Sequence, residues 1–307
     1  MLFRLLVVTV GSCLFAMTGA FASERVRLGY GILVTNDIIG DGSDRWQTGS
    51  VASSRIWGPE WAGAPPEKFG QLLEFRFNAQ TVSPENIVTP AAGDRPFAGV
   101  LTLGVHSHFR AGGMDVSLGG DLAFTGPQTG LDDFQLFLHD LVGHNNLSPA
   151  VRNAQIGDEV HPGAVFEAGR KFDLGGTARV RPFVESRVGL ETMVRIGADF
   201  QVGSIGRDEL YVRAPVTGHR YRAVKNGPTG GMIFIAGGDF AYVSDSDLLP
   251  ESRGLSLTDH RSRLRAGLHW EGEKGHSAFY GVTWLSEEFD GQRESQIVGS
   301  LRIGLNF

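Results

Sequence analysis

The chain has 307 residues, a formal charge of −6, 41% apolar residues and one cysteine. Past the N-terminus no segment approaches the roughly 20 consecutive apolar residues that a membrane helix requires, so helical spans are excluded. The acidic balance and the lack of a basic patch argue against a nucleic-acid partner, and 43 glycines scattered without a triplet repeat or Ser-rich linker point to one domain.

The first segment reads as a secretory signal. Arg4 supplies the positive end, Leu5 to Phe15 the apolar stretch, and Ala20-Phe21-Ala22 a small-x-small cleavage site. Residues 1–22 are therefore expected to be removed, leaving 23–307 as the folded unit. Cys13 falls inside the signal, so the mature chain is expected to have no thiol for a disulfide or a thiolate metal site.

A two-residue rhythm follows. Leu73, Phe75, Phe77 and Ala79 alternate with Glu74, Arg76, Asn78 and Gln80, and Leu101, Leu103, Val105 and Phe109 with Thr102, His106 and His108. Ala178, Val180 and Val184 oppose Arg179, Arg181 and Glu185; Leu264, Ala266, Leu268 and Trp270 oppose Arg263, Arg265, His269 and Glu271. The C-terminal segment puts Ile297, Gly299, Leu301, Ile303, Leu305 and Phe307 on one face and ends on an aromatic, as terminal strands of outer-membrane barrels do. Successive side chains of a strand face opposite sides, and a barrel wall shows lipid and lumen in turn. The expected fold is an all-β, antiparallel transmembrane barrel of about 12 strands with a short helix in an extracellular loop.

The candidate strands are 25–35, 46–57, 71–82, 97–109, 113–124, 163–172, 177–188, 191–203, 230–243, 260–271, 275–286 and 294–307. An even count places both termini on the periplasmic side and the connections 36–45, 83–96 and 125–162, all after odd strands, on one outer rim. The connection 204–229 then falls on the periplasmic side, where turns are usually short. Either the count is imperfect there or the segment has its own role.

Within 125–162, Phe134, Phe137, Leu138, Leu141 and Val142 recur at helical spacing and Gly143 supplies a stop. Gln135 and His139, four apart, share a face that borders the apolar arc. A neutral imidazole held against the barrel wall there can take a proton from water. Read as plain alternation, Thr48 is a lumen-facing hydroxyl, and Asn36-Asp37 is equally a turn-initiating pair at a strand end. Gly93-Asp94-Arg95 reads as structural, an ion pair that fixes the rim.

Three segments in order carry a resemblance: Asn36-Asp37 with Ser43-Asp44-Arg45-Trp46-Gln47-Thr48, then Gly93-Asp94-Arg95-Pro96-Phe97-Ala98-Gly99, then Gln135-x-x-x-His139-x-x-x-Gly143. Together they resemble the outer-membrane lipid A 3′-O-deacylase family, over essentially the mature chain. The resemblance implies an esterase of the bacterial outer membrane that removes the 3′-linked acyloxyacyl group with calcium. It implies His139 as general base, Gln135 as its neighbour, and Asn36, Asp37 and Thr48 as the other active-site positions. Asp37 would either hold the dication or orient His139. Lipid A or a related acyl lipid of the outer leaflet, the outer membrane and the barrel assembly machinery are the implied partners.

Two departures stand out. Where the family has a glutamate soon after the histidine, this chain has Asn145, whose amide oxygen can ligate calcium but brings no charge; Asp158 or Glu159 would have to compensate. Where some members carry basic residues suited to phosphates, it has Ser83-Pro84-Glu85-Asn86-Ile87-Val88-Thr89. The alternative function is a barrel that keeps this scaffold for a structural or transport role.

Overall fold

The computed structural model describes residues 25–227 and 230–305. The candidate signal with Cys13 and the closing aromatic Phe307 lie outside the described residues.

Twelve antiparallel strands close into a barrel. They are β1 Val26–Asn36, β2 Trp46–Gly58, β3 Leu72–Ser83, β4 Ala98–Ala111, β5 Met114–Thr125, β6 Glu159–Gly169, β7 Ala178–Val188, β8 Glu191–Gly203, β9 Gly231–Ser246, β10 His260–Glu271, β11 Ser277–Leu285 and β12 Gln296–Gly304. A short piece, Phe172–Gly175, continues β6 along β7 in unchanged register: Gly169 pairs with Phe183 and Phe172 with Val180. β1 pairs with β12 through Val34 with Leu301 and Asn36 with Gly299, so no edge is left between first and last strands. The expected strands recur with small shifts. The largest is β6, which starts at Glu159 inside the segment read as a connection.

The rhythm of two maps onto the wall. Tyr30, Ile32 and Val34 of β1 point outward, as do Leu264 and Leu268 of β10, all exposed, while Thr35, Arg263 and Arg265 are buried in the lumen. An apolar row turned outward is unfavourable in water and favourable in lipid, so the membrane is part of what holds these strands in register.

The lumen is filled rather than open. Residues 204–229 fold back into it as a hairpin, Leu210–Arg213 paired with Arg220–Val224. Ala223 and Arg222 run so close to β1 that a Cβ at Gly29 would lie 2.3 Å from the Ala223 carbonyl oxygen, and one at Gly31 2.6 Å from that of Arg222. Glycine at these two strand positions is thus a condition of the plug. Arg213 reaches Asp199 at 2.8 Å and Glu167 at 2.8 Å, Arg222 reaches Glu271 at 2.6 Å, and the Tyr221 hydroxyl meets Ser54 Oγ at 2.7 Å. Three cavities among the lumenal side chains have volumes of about 40, 90 and 80 Å³. The strand count therefore holds, and the long connection has its own role as a plug.

Candidate active site

The site begins where β1 stops. Asn36 spends one amide N–H on the Thr48 carbonyl at 2.9 Å, and its side-chain oxygen accepts from the Ile38 N–H at 2.9 Å. Asp37 is fully buried; its carboxylate accepts from the Ile38 N–H and the Arg45 N–H, both at 2.9 Å. It thereby closes the loop 37–45 on itself. Burial, with the nearby Asp44 charge adding to it, raises the Asp37 pKa to about 8 against the pull of those N–H groups.

At the loop exit Trp46 adopts a φ of 49°, a left-handed conformation rare for a bulky residue, with the Arg45 guanidinium 4.5 Å from its ring centre. Directly after it β2 bulges. Gln47 pairs with Val82 and Gly49 with Thr81, which leaves Thr48 as the extra residue. Gln47 stays in the lumen, accepting from Gln80 Nε2 at 3.2 Å, whereas Thr48 faces an outer groove with Val34, Val51 and Ala79 and bonds Ser83 Oγ at 2.8 Å. Plain alternation put Thr48 in the lumen; the one-residue insertion moves it to the lipid side.

Helix α1, Leu131–Val142, lies over this face, bounded by Gly130 and Gly143, both left-handed, with the Gly143 N–H returning to the His139 carbonyl. A Cβ at Gly99 of β4 would lie 2.6 Å from Thr129 Oγ1 and 2.8 Å from Leu131 Cβ, so glycine there lets the helix start against the wall. The helix is amphipathic in the sense opposite to that of a soluble protein. Phe134, Phe137, Leu138 and Leu141 are exposed, while Gln135 and His139 are buried against the barrel and Asp132 under Arg152 and Gln155 of the same connection.

His139 is oriented by one of its ring nitrogens. Its Nδ1 lies 2.6 Å from the Asn145 carbonyl oxygen. A carbonyl only accepts, so Nδ1 holds the proton and Nε2 keeps its lone pair in the neutral ring. Nε2 is 3.4 Å from Gln135 Nε2 and 3.4 Å from Asp44 Oδ2. Burial raises the Asp44 pKa, opposed by His139, His144 and the Thr48 hydroxyl. Two buried oxygens here, Asp44 Oδ1 and Gln135 Oε1, have no hydrogen-bond partner.

Asn36, Asp44, Thr48, Gln135 and His139 thus line one groove of about 290 Å³, walled by Val34, Ile38, Val51, Leu131, Phe134 and Leu138. Asp37 does not line it and acts on it through the loop. Asn145 turns its side chain to solvent and contributes its carbonyl instead. Asp158 accepts from the Gln128 N–H at 2.7 Å, and neither it nor Glu159 reaches the groove. Asp94 accepts from the Glu85 and Arg95 N–H groups and Arg95 pairs with Glu288, so the rim ion pair expected within Asp94-Arg95 is made to another connection instead. Asp44 is the acid of the groove that the sequence did not single out. Its signal was its place in the Ser43-Asp44-Arg45 segment, four residues before Thr48.

Asp37→Asn tests the loop. Above about pH 8 the ionised carboxylate accepts from both N–H groups where an amide offers one acceptor, so in the variant one of them loses its bond there, at a cost of about 1–3 kcal/mol. The sign of the pH effect follows from a folded pKa raised from 3.8 to about 8. Between these values the closed loop holds a proton that the open loop releases, so closure is favoured at low pH and weakens as pH rises through about 8. Limited proteolysis of residues 37–45, normalised to an unstructured peptide, should be faster at pH 9 than at pH 6 in the native chain and equally fast at both in Asp37→Asn. Equal rates in the native chain would refute the assignment.

The family model for Outer membrane protein LpxR matches residues 5–307. Among solved structures, LpxR from Salmonella typhimurium is similar, with 18% identity, a TM-score of 0.72, and coverage of 91% of this chain and 100% of that one. The beta domain of the Bordetella autotransporter BrkA, at 12% identity, TM-score 0.35 and coverage of 90% and 99%, is too distant to bear on the site. No curated protein sequence matches. With 303 of its 307 residues inside the family match, the chain belongs to the Outer membrane protein LpxR family, the lipid A 3′-O-deacylase barrels of the bacterial outer membrane.

Proposed function

We propose that the protein is an esterase that hydrolyses the 3′-linked acyloxyacyl ester of lipid A, or of a related acyl lipid, at the outer leaflet. The observation that carries this is His139, with Nδ1 committed to the Asn145 carbonyl and Nε2, in long contacts of 3.4 Å with Gln135 Nε2 and Asp44 Oδ2, at an apolar groove on the lipid-facing wall. With both termini periplasmic, as the even strand count implies, that groove would lie at the level of the outer leaflet, where the exposed Phe134, Phe137, Leu138 and Leu141 would meet acyl chains.

Water held at Nε2 gives up a proton to it as the hydroxide oxygen attacks the ester carbonyl carbon. The imidazolium is stabilised by the Asp44 carboxylate at 3.4 Å. Collapse of the tetrahedral species breaks the bond to the sugar oxygen, which takes the proton from Nε2. The products are a free sugar hydroxyl and the acyloxyacyl acid.

The donors fit a hard cation. Asp44 Oδ1 and Gln135 Oε1 are buried and unpaired, and the Thr48 hydroxyl lines the same groove. Among the described residues no group of three or more His, Cys, Asp or Glu could hold a metal, so amide, hydroxyl and water oxygens would complete the shell. Calcium bound there would supply positive charge to the developing oxyanion. Asp37 takes the supporting part, holding the loop that presents Asp44. A transport role finds little room in the plugged lumen.

Expression in a host outer membrane should lower the mass of the host lipid A by one acyloxyacyl group, and chelator should suppress this. An unchanged mass with the barrel folded refutes the assignment.

A further inference from the structure

The apolar walls of the groove suit acyl chains, but its polar end must also accept the head group that carries the ester. Four connections surround that end: 37–45, 84–97, 131–158 and 286–295. Ion pairs tie three of them together, Arg45 to Glu294, Arg293 to Glu85 and Arg95 to Glu288. The four hold thirteen aspartates and glutamates against four arginines and no lysine.

Every one of those arginines is committed. Arg45 serves Asp41 at 3.5 Å as well as Glu294, Arg95 serves Glu288, Arg293 serves Glu85 at 3.5 Å, and Arg152 bridges Asp132 at 2.8 Å and Asp133 at 2.7 Å. Arg253, from the neighbouring turn, donates to the carbonyls of Ala154 and Gln155. The N-terminus of α1, otherwise a place for an anion, already carries Asp132 and Asp133. A phosphate needs a free guanidinium fork, an ammonium or such a helix end. What the groove presents unpaired are oxygens, Asp44 Oδ1 and Gln135 Oε1, the pair that fits a cation above, and neither can donate to a phosphate.

We propose that the site selects an acylated sugar lipid whose head group beside the scissile ester bears no net negative charge, being phosphate-free or amine-capped, and rejects the same lipid with a phosphate there. This rests on the esterase reading above. A phosphate brings a charge of about −1.5 to −2 within a Debye length of the rim carboxylates, where repulsion is least screened. The class of reaction that supplies the substrate is then removal or capping of a phosphate before the acyl chain is cut.

The test uses the full barrel in detergent micelles with equimolar bisphosphorylated lipid A and its phosphatase-treated form. Acyl release by the native chain, and retention of uncut lipid by His139→Ala in native mass spectrometry, should both favour the phosphate-free lipid by about tenfold or more. The preference should shrink as salt is raised, and the doubly substituted Asp140→Lys, Asp290→Lys barrel should show less of it. Equal or faster cleavage of the phosphorylated lipid overturns the proposal. So does cleavage of it that depends on added magnesium, which would mean that cations bridge phosphate to the rim. Preferential retention of the phosphate-free lipid without acyl release would instead overturn the esterase reading.

Discussion

His139→Ala is expected to slow acyl release by about 10²–10⁴-fold while leaving the barrel intact. The ring bonds the Asn145 carbonyl and the Gln135 amide and lies beside Asp44, and no strand pairing passes through it. What remains after its loss is a groove that still binds acyl chains and still presents Asp44 and Gln135. KM should therefore move little and kcat should carry the effect. Asp44→Asn should also fall mainly in kcat, because a neutral amide cannot offset the imidazolium charge. Rates within about threefold of the native chain in His139→Ala, with heat-modifiable mobility unchanged, would remove His139 from the role of base.

Asp239→Ala is expected to destabilise the barrel by about 3–5 kcal/mol, the range for removing one partner of a buried ion pair. The Asp239 side chain is fully buried, accepts from Arg263 Nε at 2.9 Å and Nη2 at 3.2 Å and from Arg265, and forms an ion pair with Arg195, whose Nε lies 3.0 Å away. Without it three guanidinium groups share a lumen in which Asp199 and Glu185 are already engaged by Arg213, Arg265 and Arg187. The hairpin is drawn in as well, since Arg263 also donates to the carbonyls of Pro215 and Val216 at 2.8 and 2.9 Å. Urea unfolding in detergent, followed by gel mobility, reads the change. A shift under about 0.5 kcal/mol would show that the network is not what holds the lumen.

The two predictions concern opposite sides of one wall, and this decides what each substitution does. Lumenal charges set stability. Groove residues on the lipid side, to which the proposal gives the chemistry, make no strand pairing through their side chains, so they can change with little effect on the fold.

The strands were legible because two solvents act on them at once. Lipid outside and an ionic lumen inside impose a period of two on β3, β4, β10 and β12, and that pattern survives without knowledge of any contact. The helix was legible as an element from Phe134, Phe137, Leu138 and Leu141, but not in its orientation. In water that apolar arc would turn inward; here it turns out, and Gln135 with His139 turn in.

By itself, then, the sequence determined the twelve-strand wall, the placing of α1 after β5, and the gathering of Asn36, Thr48, Gln135 and His139 at one rim, since period, parity and residue type are local properties. Only the tertiary structure decided that residues 204–229 fill the lumen, because nothing local marks a hairpin paired with a distant wall. Only it decided that Thr48 faces lipid, because a single extra residue in β2 reverses the alternation at that point. And only it separated the two acids, since Asp37 and Asp44 differ in which atoms surround their carboxylates: backbone N–H groups close the loop on one, while His139 and an open groove face the other.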